Sequence, residues 1–110
     1  MTEVKIFRKN GSIIGYRANG HSGYSEHGSD IVCAALSTAL QLPLISLQEI
    51  LKVNPKFKIN EDGFLEVDLR NLDKKILKEL NLSLETMFLF IKELKLQYPK
   101  NIKLVEKEEK

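Results

Sequence analysis

Apolar and charged residues alternate along residues 4–8, with Val4, Ile6 and Arg8 on one side and Lys5 and Phe7 on the other. A period of two marks a strand. Asn10-Gly11 follows, the dipeptide best suited to a two-residue hairpin turn, and residues 13–18 form a second β-rich run. The pattern predicts a hairpin with strands near 3–9 and 12–19. From Ile31 the period changes. Residues 31–40 are nearly all apolar or small, which predicts a buried helix running to Leu51 or Lys52. Pro43 lies inside it, where a proline removes the hydrogen bond to the carbonyl four residues back and kinks or divides the helix. Asn54-Pro55 ends that segment.

Two short alternating runs, 56–60 and 64–69, flank Glu61-Asp62-Gly63 and predict a second hairpin. Phe57, Ile59, Leu65, Val67 and Leu69 form its expected inward face, with Phe64 over the turn. Lys56, Lys58, Glu66, Asp68 and Arg70 form the opposite, solvated face. Asp73 is placed to cap a second helix. In it Ile76, Leu77, Leu80, Leu84, Met87, Phe88, Ile91 and Leu94 recur at spacings of three and four. This helix is expected to reach Gln97, with Asn81 as its weakest point. Leu82, Leu89, Phe90 and Leu96 widen its apolar surface beyond one stripe, which suits either a partner or burial between layers. Pro99 stops it. Residues 102–105 are expected to add an edge strand and 106–110 to form a charged, frayed tail. The order is strand-strand-helix-strand-strand-helix-strand. It predicts one α+β domain over residues 1–110, a two-layer fold with a mostly antiparallel sheet and two helices on one face.

Composition narrows the function. Apolar residues make up 43% of the 110 and charged residues 29%, an ordinary globular balance. A net charge of +2 gives no large electrostatic footprint for nucleic acid, so no direct nucleic-acid partner is expected. The N-terminal residues lack the apolar core of a signal peptide. No uninterrupted apolar run approaches the roughly 20 residues that span a bilayer, so no membrane partner is expected. The chain's one cysteine cannot form an internal disulfide and suits a reducing cytoplasm.

The candidate chemistry sits between Gly20 and Leu40. Residues 20–29 hold three glycines, three serines and two histidines, the composition of a mobile loop feeding the helix at Asp30. With Asp30 as N-cap, its carboxylate accepts the backbone N–H of Val32 or Cys33, and Cys33 falls in the first turn, where the helix dipole favours negative charge. Helix N-termini and nearby imidazolium lower a cysteine pKa from about 8.5. A thiolate–imidazolium pair with His21 is one reading. The other is a cysteine packed as a small hydrophobe, as most lone helical cysteines are. Ser37, one turn after Cys33, either faces the same site or bonds back to the Cys33 carbonyl. A metal site built from His21, His27 and Cys33, with Asp30 or Glu26 as a fourth ligand, has spacings unlike the usual zinc pairs. No metal or other cofactor is expected.

Gly-His-Ser-Gly-Tyr together with Gly-Ser-Asp-Ile-Val-Cys-Ala-Ala-Leu-Ser resembles the ribosomal-processing cysteine proteases called Prp, a bacterial family. The likeness extends over most of the chain, from the hairpin before the loop to Tyr98-Pro99-Lys100. It implies a cytoplasmic, homodimeric cysteine endopeptidase whose partner is the short N-terminal extension of large-subunit ribosomal protein number twenty-seven, cut after a segment with phenylalanines. It implies His21 and Cys33 as the catalytic residues. Gly20, Asp30 and Ser37 match further positions of the motif, and nothing carries over to His27. The resemblance assigns no third catalytic residue. The competing reading is a non-catalytic binding module of ribosome assembly.

Overall fold

The computed structural model describes residues 1–26, 29–60 and 63–109. In the first hairpin, β1 (Thr2–Lys9) pairs antiparallel with β2 (Ser12–Asn19). The turn has positive φ at both Asn10 (53°) and Gly11 (82°), the geometry that matches the twist of the flanking strands. The ladder register shifts between Phe7 and Arg8.

The first helix, α1 (Ile31–Ile45), passes through Pro43 without dividing and then loosens into a π-helical segment, Ser46–Ile50. The Ser46 N–H reaches the carbonyls of both Leu42 and Pro43, and Leu51 N–H bonds the Ser46 carbonyl five residues back at 3.0 Å. Lys52, at φ 59°, ends the helical run. Residues 31–50 together are long and apolar enough, by length and composition, to cross a membrane. This exceeds the sequence expectation, which considered uninterrupted apolar runs. The buried side chains Val32, Leu36, Ala39, Leu40, Leu44 and Leu47 belong to the core of the domain.

The second hairpin pairs β3 (Lys56–Asn60) with β4 (Phe64–Asp68). The second helix, α2 (Lys74–Gln97), is capped by Asp73, whose carboxylate accepts Lys75 N–H at 3.2 Å, and is continuous through Asn81. The final strand, β5 (Ile102–Glu109), lies parallel to β1. Strand order is β3-β4-β2-β1-β5, a five-stranded mixed sheet whose β1–β5 pair is its parallel one. Val4, Ile6, Tyr16, Ala18, Leu65, Val67 and Ile102 pack from the sheet against α1 and α2. Tyr16 donates its hydroxyl to the Leu40 carbonyl at 2.7 Å, and burial pushes its phenol above the ordinary range. The α+β reading therefore holds.

Two local expectations fail. Residues 106–109 are strand, held by their charges: Arg8 Nε donates to Glu106 at 2.8 Å while its other nitrogens reach Glu85 on α2, and Arg70 pairs with Glu109. A strand stabilised by ladder bonds and ion pairs needs no apolar alternation, and so its sequence reads as a tail. Phe57 and Ile59 stand opposite Val67 and Leu65 in the register but are 43% and 52% exposed, because β3 is the sheet edge. Leu65, Val67 and Leu69 are buried as expected. The other face of the sheet carries Phe7, flanked by the guanidinium groups of Arg17 and Arg70 at 5.6 and 5.4 Å from the ring centre, within cation–π range. On α2, Leu82, Leu89, Phe90 and Leu96 are all exposed.

Candidate active site

Asp30 joins the loop to α1. Its backbone is extended, with φ −82° and ψ 103°, and its Oδ1 accepts the Cys33 N–H at 2.9 Å. Cys33 therefore sits at the third position of the first turn, as the sequence predicts. Oδ2 turns the other way. It accepts the Ser22 hydroxyl at 2.5 Å and the N–H groups of Tyr24 and Ser25 at 3.1 and 3.2 Å. One carboxylate thus caps the helix and gathers the loop. The loop's anchors are mainly polar; Tyr24 adds an edge-to-face contact with Tyr98, ring centres 5.3 Å apart.

Burial pushes the Asp30 carboxyl up, but the Ser22 hydroxyl and the N–H groups of Cys33, Ser25 and Tyr24 outweigh it and hold the group at about 2. The unfolded value is about 3.9. Because the folded pKa is the lower one, the stabilisation is complete above the unfolded pKa and is lost as pH falls through about 2. Asp30→Ala should cost about 2–4 kcal/mol near neutral pH, from the lost cap and the donors left without their acceptor. Cleavage should fall with it, since the turn carrying Cys33 loses its anchor. Thermal melts over the acid range check this: the parent should lose stability between about pH 5 and 2, and the variant should lose less across that window. An unchanged melt with lost cleavage would make Asp30 a histidine orienter and not a cap.

The Cys33 sulfur, half-buried, accepts the Ser22 N–H at 3.2 Å. His21 follows just after the end of β2. Gly20 makes the turn there at φ 91°, donating its N–H to the Gly63 carbonyl at 2.9 Å. A Cβ at Gly20 would lie 2.8 Å from the Met1 carbonyl oxygen, so a side chain is excluded by backbone. Gly63, in the β3–β4 turn, packs beside the imidazole: a Cβ there would come within 3.2 Å of His21 Cε1.

Gly20, His21, Asp30, Cys33 and Ser37 all line one cavity of about 560 Å³, so the structure brings these five together. Leu36, Leu40, Ile59, Phe64 and Leu65 give it apolar walls. The Ser37 hydroxyl accepts Gln41 Nε2 at 2.8 Å; the back-bond to the preceding turn is made by its neighbour Thr38, to the Ala34 carbonyl at 2.9 Å. The first-turn N–H groups of Cys33 and Ala34 are both committed to Asp30, the second to its carbonyl at 3.1 Å, so neither is a ready oxyanion donor. His27 lies outside the described residues. Among the described residues no three His, Cys, Asp or Glu side chains are grouped to hold a metal.

Sequence reasoning missed Ser22 and Asn101. Ser22 is 1% exposed and bonds both Asp30 and the sulfur. Asn101 donates Nδ2 to the Ser22 carbonyl at 3.0 Å from the far end of the chain. The one available signal for Ser22 was its place directly after His21.

The profile of the family described as cysteine protease Prp matches residues 1–103. The chain belongs to the cysteine protease Prp family. It is accordingly a cysteine protease, with the Prp fold throughout. The ribosomal processing cysteine protease Prp of Bacillus subtilis is 24% identical over 94 residues, 84% of each chain. A crystal structure of the essential ribosomal processing protease Prp from S. aureus, with a covalently linked product peptide, superposes with a TM-score of 0.86. It is 25% identical and covers 97% of this chain and 100% of that one. The same S. aureus protein with a substrate peptide gives 0.80 at 24% identity over the same shares. A Streptococcus mutans structure gives 0.86 at 24% identity, covering 99% of this chain and 96% of its own.

Proposed function

We propose that this Prp-family protease removes the short N-terminal extension of large-subunit ribosomal protein number twenty-seven, with Cys33 as nucleophile and His21 as its acid–base partner. The observation that carries the reading is the shared cavity: His21 and Cys33 line it together, and Cys33 stands on a turn fixed by Asp30. The cavity's volume is that of a ligand-binding cleft, and its apolar walls suit the phenylalanines that the family resemblance implies before the cut. The peptide complexes of the S. aureus relative support a peptide as the occupant.

In this mechanism the Cys33 thiol proton passes to His21 and the thiolate attacks the scissile carbonyl carbon. The tetrahedral oxyanion collapses, the C–N bond breaks, and the leaving amine takes the proton from His21. Water then attacks the thioester, giving its proton to His21, and the acid departs as the thiolate re-forms. The chemistry needs a reduced sulfur, which fits the bacterial cytoplasm. Incubation with the extended ribosomal protein, read by mass spectrometry, tests the function. A shorter product supports it; tight binding with no cut would instead make the chain a ribosome-assembly binding module.

The homodimer belongs to the same proposal. The exposed Leu82, Leu89, Phe90 and Leu96 on α2 exceed what scattered surface residues require and form its contact. Sedimentation at twice the mass of the chain is the expected result, and sedimentation at 12.6 kDa would remove the dimer from the proposal.

A further inference from the structure

His21 lies between two backbone carbonyls, and each is held from outside the loop. Thr2, at the start of β1, donates its hydroxyl to the Gly20 carbonyl at 3.1 Å. Asn101, in the turn between α2 and β5, donates Nδ2 to the Ser22 carbonyl at 3.0 Å. The two holders are joined, because Thr2 N–H donates to the Asn101 carbonyl at 2.9 Å. Asn101 is itself fixed by its N–H, which reaches the Tyr98 carbonyl at 3.0 Å. Thr2 and Ser22 are buried, at 5% and 1% exposure.

The N–H that meets the Cys33 sulfur belongs to the peptide between His21 and Ser22. The peptide before it is held by Thr2 and the one after it by Asn101. The Ser22 side chain is held by Asp30. With its neighbours fixed on both sides, the middle peptide cannot rotate freely, and its N–H stays aimed at sulfur. A donor to a charged acceptor is worth roughly twice one to a neutral acceptor, so an N–H aimed at a sulfur is worth most when that sulfur carries negative charge.

We propose that Asn101 is a positioning residue of the cleavage reaction: holding the Ser22 carbonyl while Thr2 holds the Gly20 carbonyl, it aims the Ser22 N–H at the Cys33 sulfur and steadies the negative charge of that sulfur in attack. The inference rests on Cys33 as the nucleophile, yet it is tested without substrate, so the two fail separately. The chain has one cysteine, and iodoacetamide therefore reads Cys33 alone.

Asn101→Leu, of similar size, and Asn101→Ala both keep the backbone bonds of residue 101 and remove the side-chain donor. Alkylation at pH 7 should slow about three- to tenfold, the effect of one hydrogen bond. The rates should converge with the parent in alkali, where the sulfur is ionised in both. For a cleavable peptide, kcat should fall by a similar factor with KM nearly unchanged. Alkylation curves that superimpose at every pH would overturn the proposal. So would a deficit that persists in alkali, which reports access to the sulfur and not its ionisation. Should both variants fail to fold, ¹⁵N NMR of the parent decides. The Ser22 amide and the Asn101 side-chain NH₂ should shift together along the alkylation curve; an Asn101 NH₂ indifferent to pH would refute the link.

Discussion

Cys33→Ala is expected to leave no measurable cleavage in a protein that still folds. The loss should be on the order of 10⁵-fold or more, as when other covalent-catalysis nucleophiles are removed. The fold should persist because the side chain is half-buried and its described hydrogen bond is one accepted from Ser22 N–H. Alanine is also a good helix former, and the cap on residue 33 runs through its backbone N–H, which alanine keeps. The melt should shift by no more than about 1 kcal/mol. Cys33→Ser should be nearly as inactive, since a hydroxyl is far harder to ionise than a thiol. The measurement is product formation from the extended ribosomal protein beside a thermal melt. Cutting by Cys33→Ala would refute this nucleophile outright.

His21→Ala should be as silent as the cysteine variant, while His27→Tyr should keep most of the activity. A general acid must come within hydrogen-bond reach of both sulfur and leaving group. His21 lines the cavity with Cys33, and Gly20 and Gly63 leave room for its backbone turn and its ring. His27 stands between Glu26 and Gly28 in the sequence and has no part in the Gly-His motif. A metal site would give the opposite pattern, with either histidine required and a chelator inhibiting the parent. Cleavage by the two variants, with the chelator control, separates these cases. A dead His27→Tyr variant together with chelator inhibition would return the metal reading and end the assignment of His21 as a simple acid–base group.

The parts of the site legible in the sequence were those set by neighbours in the chain. Asn10-Gly11 declares its turn because two positive φ values are needed within two residues. Asp30 declares its cap because acceptor and donor lie three residues apart. From these follow the strand that ends near His21 and the turn that carries Cys33. What stayed hidden depends on partners far along the chain. Asn101 acts on a carbonyl 79 residues away, and no local period encodes such a meeting. β5 reads short in the sequence because Glu106 and Glu109 look like solvated tail until Arg8 and Arg70 are placed beside them. Phe57 and Ile59 alternate as core residues do, and only the strand order shows that their edge is left uncovered. Pro43 sits inside a helix that continues to Ile45, because Leu40 and Leu44 beside it are packed in the core.

The parallel pairing of β1 with β5 has a kinetic consequence. It joins residues almost a full chain length apart, Thr2 opposite Ile102 and Lys9 opposite Glu109. Contacts this distant in sequence are costly to close and slow the search for the native state. The hairpins and helices can form from local contacts first, whereas the Thr2–Asn101 junction behind the nucleophile waits for the closing strand. The proposed hold on the Ser22 peptide thus belongs to the finished topology, because Thr2 and Asn101 meet only where the first and last strands are joined.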